Sequence, residues 1–120
     1  MNRRKTVLDD ISLFRLFFQL SRQSEDLVEE QRALATIGRT HFLHAHELIN
    51  AKDISTSLMK SQKNYMNALQ TCDKLRDCLS EREVLEMRAR LYLNIGLMYE
   101  KKQDLKEAIK FVQKALVITK

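Results

Sequence analysis

Apolar residues recur at helical rather than strand spacing along nearly the whole chain. Ile11, Leu13, Phe14, Leu16, Phe17, Phe18 and Leu20 crowd one early segment on so many sides that a helix there needs covering from more than one direction. The spacing predicts this helix over residues 9–23, with Thr6 and Asp9 as caps ahead of it. Ser24, followed by Glu25 and Asp26, reads as a fresh start, an N-cap with acids in the first turn. The helix after it runs through VEEQRALATIGRTHFLHAHEL. Periodicity lapses in HELINAKDISTS, which predicts a long loop over 47–57, and a helix resumes near Leu58 to pass through Leu69, Cys72, Leu75 and Leu79. Two capping boxes, Ser80 with Glu83 and Asp104 with Glu107, then open two further helices. The expectation is one all-α domain over 1–120: an orphan helix at 9–23, a hairpin over 25–79 and a second hairpin over 81–120.

The two hairpins repeat one another. Tyr92, Ile95, Gly96 and Tyr99 are spaced as Leu34, Ile37, Gly38 and His41 are, and chance rarely duplicates both spacing and residue class. In the second helices, Ala108, Val112 and Ala115 answer to Ser61, Tyr65 and Ala68, giving small, bulky, small at matched intervals. Glycine inside a helix is about 1 kcal/mol worse than alanine, so Gly38 and Gly96 need a packing reason. Close approach of two helices supplies it, with the aromatic positions filling space on the neighbouring helix and the small residues admitting them. The pattern resembles the tetratricopeptide repeat, with Tyr92 where that motif has Trp and no closing Pro. The resemblance implies a right-handed helical solenoid; an ordinary pair of amphipathic hairpins remains the alternative.

Composition agrees with helix and narrows the chemistry. There is no Pro and there are two Gly in 120 residues, in a chain rich in Leu, Ala, Lys, Glu, Arg and Gln. The net charge of +5 mixes both signs, so an acidic partner is allowed and direct nucleic-acid binding is not expected. MNRRKTVLDD lacks the apolar core of a secretory signal and no apolar run is long enough for a membrane span, so the chain is expected to be intracellular. Cys72 and Cys78, six apart on one expected helix, are poorly set for a disulfide and read as buried or half-buried free thiols. His41, His44 and His46 suggest metal ligands, but His41 already holds a packing position and Glu47 is the one suitable neighbour; no metal and no cofactor are expected. No Gly-rich phosphate loop, nucleophile elbow or His-Glu-x-x-His pattern occurs, and Glu81, Glu83 and Glu86 sit among arginines on helix surfaces. An enzyme is not expected.

The first helix of each hairpin should line a shared groove. With Leu34, Ile37, Gly38 and His41 on the packing face, the groove positions are Arg32, Ala35, Thr36, Arg39 and Phe42, and their equivalents are Arg90, Leu93, Asn94, Leu97 and Glu100. Asn94 can both donate to and accept from a peptide backbone, and arginines grip carboxylates bidentately. The expected ligand is an extended peptide segment.

RALATIGRTHF at Arg32 to Phe42 and EMRARLYLNIGLMYE at Glu86 to Glu100, with the long connection between them, resemble consecutive repeats of the amino-terminal region of Tonsoku-like proteins. The similarity covers most of residues 16–120. It implies a nuclear scaffold for replication-fork and recombinational DNA repair, with histones and repair proteins as partners, and a histone tail in the groove touching Arg32, Arg39, Arg90 and Asn94. The family's ankyrin and leucine-rich modules are absent from this chain, so histone reading through them is not carried over. Two other readings stay open. One is a generic tetratricopeptide adaptor for acidic peptide tails in chaperone or cytoskeletal scaffolding, with a cytoplasmic location. The other is a structural piece that self-associates through Phe14, Phe17 and Phe18.

Overall fold

The computed structural model describes residues 3–119, with side chains described for Leu16, Arg22, Gln23 and residues 25–118. It is all-α: helices α1 (Arg3–Glu47), α2 (Ala51–Lys74), α3 (Glu81–Lys101) and α4 (Leu105–Thr119), plus one 3₁₀ turn at Leu75–Asp77, with no strand among the described residues. Consecutive helices pack against one another, and α3 also touches α1. The extents are 72 × 31 × 14 Å and the radius of gyration is 19.8 Å, against about 14 Å for a compact domain of this length. The 45 residues of α1, at 1.5 Å rise each, span roughly 67 Å and set the long axis. With 24 residues, α2 is long enough to cover only about half of α1.

Two boundaries differ from the sequence expectation. The separate helix at 9–23 does not exist as such, because α1 runs unbroken from Arg3 through Ser24 to Glu47. Thr6, Asp9 and Ser24 lie inside it, so none of them caps a helix. Capping residues mark a start only where the chain actually turns, and nothing between Gln23 and Glu25 breaks the helix. The side chains of Phe14, Phe17 and Phe18 lie outside those described. The loop foreseen over 47–57 shrinks to Leu48–Asn50. Asn50 takes an extended backbone (φ −74°, ψ 125°) and its side chain accepts from the Lys52 amide at 2.8 Å, capping α2 seven residues earlier than the hydrophobic pattern implied. The stretch reads as polar because little of it turns inward: Ser57 is buried, Leu48 and Ile54 are half-buried, and the other residues of 47–57 are exposed.

The other two helix starts follow their caps. Ser80 accepts from the Glu83 amide at 3.2 Å and donates to its carboxylate at 3.1 Å, and Asp104 accepts from the Glu107 amide at 3.3 Å. Between α3 and α4 the chain turns at Gln103, whose φ of 67° is left-handed. There the Gln103 and Asp104 amides satisfy the Glu100 and Tyr99 carbonyls at 2.9 Å each.

The core runs through all four helices: Ala45 from α1, Leu58, Tyr65, Ala68 and Cys72 from α2, Leu91, Ile95 and Met98 from α3, and Phe111 from α4. Neither glycine faces open space. A Cβ on Gly38 would meet the Tyr65 ring at 2.8–3.2 Å, and one on Gly96 would meet Val112 Cγ2 at 3.0 Å and the Ala108 carbonyl oxygen at 3.3 Å. Leu34, Tyr92 and Tyr99 are half-buried against the core, His41 is half-buried, and Ala68, Ala108 and Ala115 are buried. Ile37, assigned to the packing face, is instead 44% exposed. The face of α1 that turns inward is centred on Gln31, Gly38 and Ala45, two turns apart, and Ile37 is rotated about 100° from it.

Polar contacts at both ends of the α2–α3 interface tie the hairpins together. Gln62 of α2 donates to the Tyr99 hydroxyl at 3.1 Å and accepts from the Lys102 ammonium at 3.0 Å. Tyr99 stacks on Phe111 of α4 with ring centroids 5.5 Å apart, so one side chain joins α2, α3 and α4. At the far end of the same interface Arg88 pairs with Asp73. Cys72 is buried and its thiol is pushed up from the usual range by desolvation. Cys78 lies beyond the 3₁₀ turn and is exposed, not half-buried, because α2 has already ended at Lys74.

Candidate functional site

Running side by side, α1 and α3 leave a cleft of about 300 Å³ between them, lined by Gln31, Arg32, Ala35 and Thr36 from α1 and by Met87, Arg90, Leu91 and Asn94 from α3. Its walls come from the first helix of each hairpin, brought together because α3 packs on α2 while α2 packs back on α1. Of the residues that sequence spacing assigned to a groove, Arg32, Ala35, Thr36, Arg90 and Asn94 meet here.

The remaining five do not line it, and Glu100 among them is exposed near the C-terminal end of α3. Phe42 is half-buried against the core, edge-on to His46 with centroids 4.7 Å apart. Arg39 is exposed one turn beyond Thr36. Leu93 and Leu97 are 43% and 49% exposed on the flank of α3 toward α4. The sequence reading counted Ile37 with Leu34, Gly38 and His41 on the packing face of α1, and it spread the groove too far round both helices. It also missed Gln31, Met87 and Leu91. Gln31 lies seven residues before Gly38, a spacing that marks it as sharing the glycine's face.

The cleft is chemically one-sided. Arg32 and Arg90 are exposed, neither takes part in an ion pair among the described residues, and no carboxylate lines the cavity. By contrast, Arg76 and Arg88 pair with Asp73, and Arg82 pairs with Glu86 at 3.4 Å. An apolar floor of Ala35, Met87 and Leu91 flanked by two guanidinium groups and two side-chain amides suits an extended chain carrying acceptors or carboxylates. Cavities of about 330 and 350 Å³ also occur, one beside Arg76, Glu81 and Arg88 and one between Ala51 and Gln103, but each lies at a turn between neighbouring helices rather than along the hairpins' first helices.

The histidines are used otherwise. His46 Nδ1 donates to the Phe42 carbonyl oxygen at 3.0 Å and His44 lies 3.9 Å from Glu47. No group of three His, Cys, Asp or Glu side chains suited to a metal ion, and no helix long and apolar enough to cross a membrane, occurs among the described residues.

The chain is 36% identical over 106 residues to the Tonsoku-like protein of Drosophila melanogaster, which takes in 87% of this chain and 8% of that protein. It is 41% identical over 90 residues to the Tonsoku-like protein of Mus musculus (74% of this chain, 6% of that protein) and 33% identical over 103 residues to that of Bos taurus (85% and 7%). The chain belongs to the Tonsoku-like family. It spans less than a tenth of the length of these relatives, so the match identifies one stretch of a Tonsoku-like protein. No family model and no solved structure matches it. Within this Tonsoku-like stretch the cleft is the site where the two hairpins jointly present unpaired charge.

Proposed function

We propose that this Tonsoku-like chain is a non-enzymatic protein-interaction scaffold, two consecutive tetratricopeptide hairpins of a right-handed solenoid whose α1–α3 cleft holds an extended peptide segment. The observation that carries this is the meeting of Arg32 with Arg90 and Asn94, from two hairpins, in one cavity free of carboxylates. The equivalent glycine contacts, Gly38 on Tyr65 and Gly96 on Val112, support a repeat rather than two unrelated hairpins. Family membership supports a setting in nuclear replication-fork repair, with histones and repair proteins as partners.

Charge favours one ligand over another. Two unpaired arginines attract an acidic segment and repel a lysine-rich histone tail, unless the tail lays its backbone on Asn94 with its lysines turned out. Fluorescence anisotropy with a labelled acidic peptide and with histone H3 and H4 tail peptides, at low and high salt, separates the two. Salt-sensitive binding of the acidic peptide that Arg32→Ala and Arg90→Ala abolish supports acidic-peptide recognition. Tail binding that needs Asn94 and survives those changes supports the histone reading. Binding of neither, with the fold intact by circular dichroism, sinks the cleft as a peptide site.

A further inference from the structure

One buried polar side chain in the cleft has no partner in the fold. Gln31 is 6% exposed and lines the α1–α3 cavity. No hydrogen bond engages its carboxamide among the described residues. Neither of its amide atoms is sealed from solvent, so the polar end opens on the cleft. The repeat makes this position informative. Aligning Gly38 with Gly96 sets Arg32 on Arg90, Thr36 on Asn94 and Gln31 on Ala89. The arginine recurs in both hairpins, but the inward position before it is a 5% exposed alanine in the second and a glutamine in the first. Ala89 needs nothing beyond packing. A buried carboxamide needs both a donor and an acceptor, and leaving it without them costs stability. In the free chain only water entering the cleft can meet it.

We propose that Gln31 is the main-chain anchor of the cleft, an assignment that rests on the cleft being a peptide site. A carboxamide donates through its NH₂ and accepts through its carbonyl oxygen, which answers the C=O and N–H of an extended peptide backbone. Asn94 lines the same cavity from the facing helix, so α1 and α3 each bring one amide to the ligand. Arg32 and Arg90, exposed and outside any ion pair among the described residues, are left to act on the ligand's side chains. The side chains of Ala35, Met87 and Leu91 between them offer no hydrogen-bonding nitrogen or oxygen. The partner this selects is an extended protein segment with a free main-chain N–H opposite Gln31 and carboxylates beside it. A helical segment does not qualify, because its main-chain groups are already paired to one another.

Fluorescence anisotropy on the full chain, with a fluorescein-labelled Ser/Gly peptide carrying a central pair of aspartates, tests this. Gln31→Met keeps the length of the side chain and removes its donor and acceptor. It should weaken binding roughly tenfold while melting no lower than wild type, because the lost polar group is one that the fold does not bond. N-methylating the peptide one amide at a time should reveal a position that costs the wild type a similar factor. The same methyl group should cost Gln31→Met nothing further, since both changes break one bond. If Gln31→Met binds as wild type does, or if every N-methyl group costs both proteins equally, the anchor is overturned and the cleft stands as a site for side chains. A variant that melts clearly lower also overturns it, because the glutamine then serves the fold. A wild type that binds neither this peptide nor the histone tails overturns the cleft itself, and the anchor with it.

Discussion

Placing alanine at Gly38 tests whether the helices meet where the glycines put them. In an ordinary exposed helix interior Gly→Ala stabilises by about 1 kcal/mol through backbone entropy. At Gly38 the new Cβ would lie 2.8 Å from Tyr65 Cδ1 and 2.9 Å from Cε1, distances that real methyl groups do not hold. Tyr65 is 1% exposed, so its ring cannot swing clear and either α1 or α2 must back away. Overpacking of this kind destabilises by about 1–3 kcal/mol, which exceeds the propensity gain and leaves a net loss of about 1 kcal/mol. For a chain of this size that lowers the melting temperature by roughly 4 °C. At Gly96 the closest atom is a Val112 methyl at 3.0 Å on a half-buried side chain, so the two terms nearly cancel and Gly96→Ala should melt within about 2 °C of wild type. Gly96→Leu, in contrast, cannot fit against the Ala108 carbonyl and should unfold the chain. Urea and thermal melts followed at 222 nm measure all three. A Gly38→Ala variant more stable than wild type would refute the close approach of α1 and α2.

Tyr99→Phe removes the acceptor for Gln62 and loosens the α2–α3 junction, an expected loss of about 0.5–1.5 kcal/mol in the same melts, and no change would mean that bond is not formed in solution. Gln103→Gly relieves a left-handed backbone position at the end of α3 and should stabilise by about 1 kcal/mol; a loss would mean that the Gln103 side chain matters more than its backbone. Stability should hold steady up to about pH 9 and then fall. Burial raises the Cys72 thiol above its ordinary 9.0 and the Tyr65 phenol above 10.0. Above those values the unfolded chain therefore loses protons that the folded chain retains, and unfolding gains the advantage. A pH series of melts should show Cys72→Ala flattening the first part of that decline. At pH 8, thiol titration of the folded protein should find Cys78 reactive and Cys72 protected until denaturant is added.

Local chemistry was largely readable in the sequence. The all-α class follows from composition and helical spacing, and the caps at Ser80 and Asp104 were legible because each is settled within four residues. The paired glycines were legible too, since a residue that weakens a helix needs a reason that only a neighbour can supply. What the sequence alone misjudged was set by distance along the chain. Ser24 has every local mark of a cap and lies inside a 45-residue helix, because a capping residue starts a helix only where the backbone turns. Asn50 starts α2 in a stretch that seems structureless, because the inward face there is serine rather than leucine.

Rotation about the helix axis was the other tertiary decision. Ile37 looks like core and Gln31 like surface, yet α2 and α3 approach α1 on the side of Gln31, Gly38 and Ala45, and burial follows the approach rather than the hydrophobicity of single residues. On α1 this leaves Arg39 and Phe42 outside the cleft and brings Gln31 into it, while Met87 and Leu91 enter from α3. The couplings of Gln62 to Tyr99 and of Asp73 to Arg88 have no sequence signature, since their members are 37 and 15 positions apart and are ordinary surface residues until two hairpins meet. The chain's own residues thus determined which segments are helices and where two of them come closest. Only the packed structure decided which faces those helices bury and which charges they leave free, because burial depends on all neighbours at once.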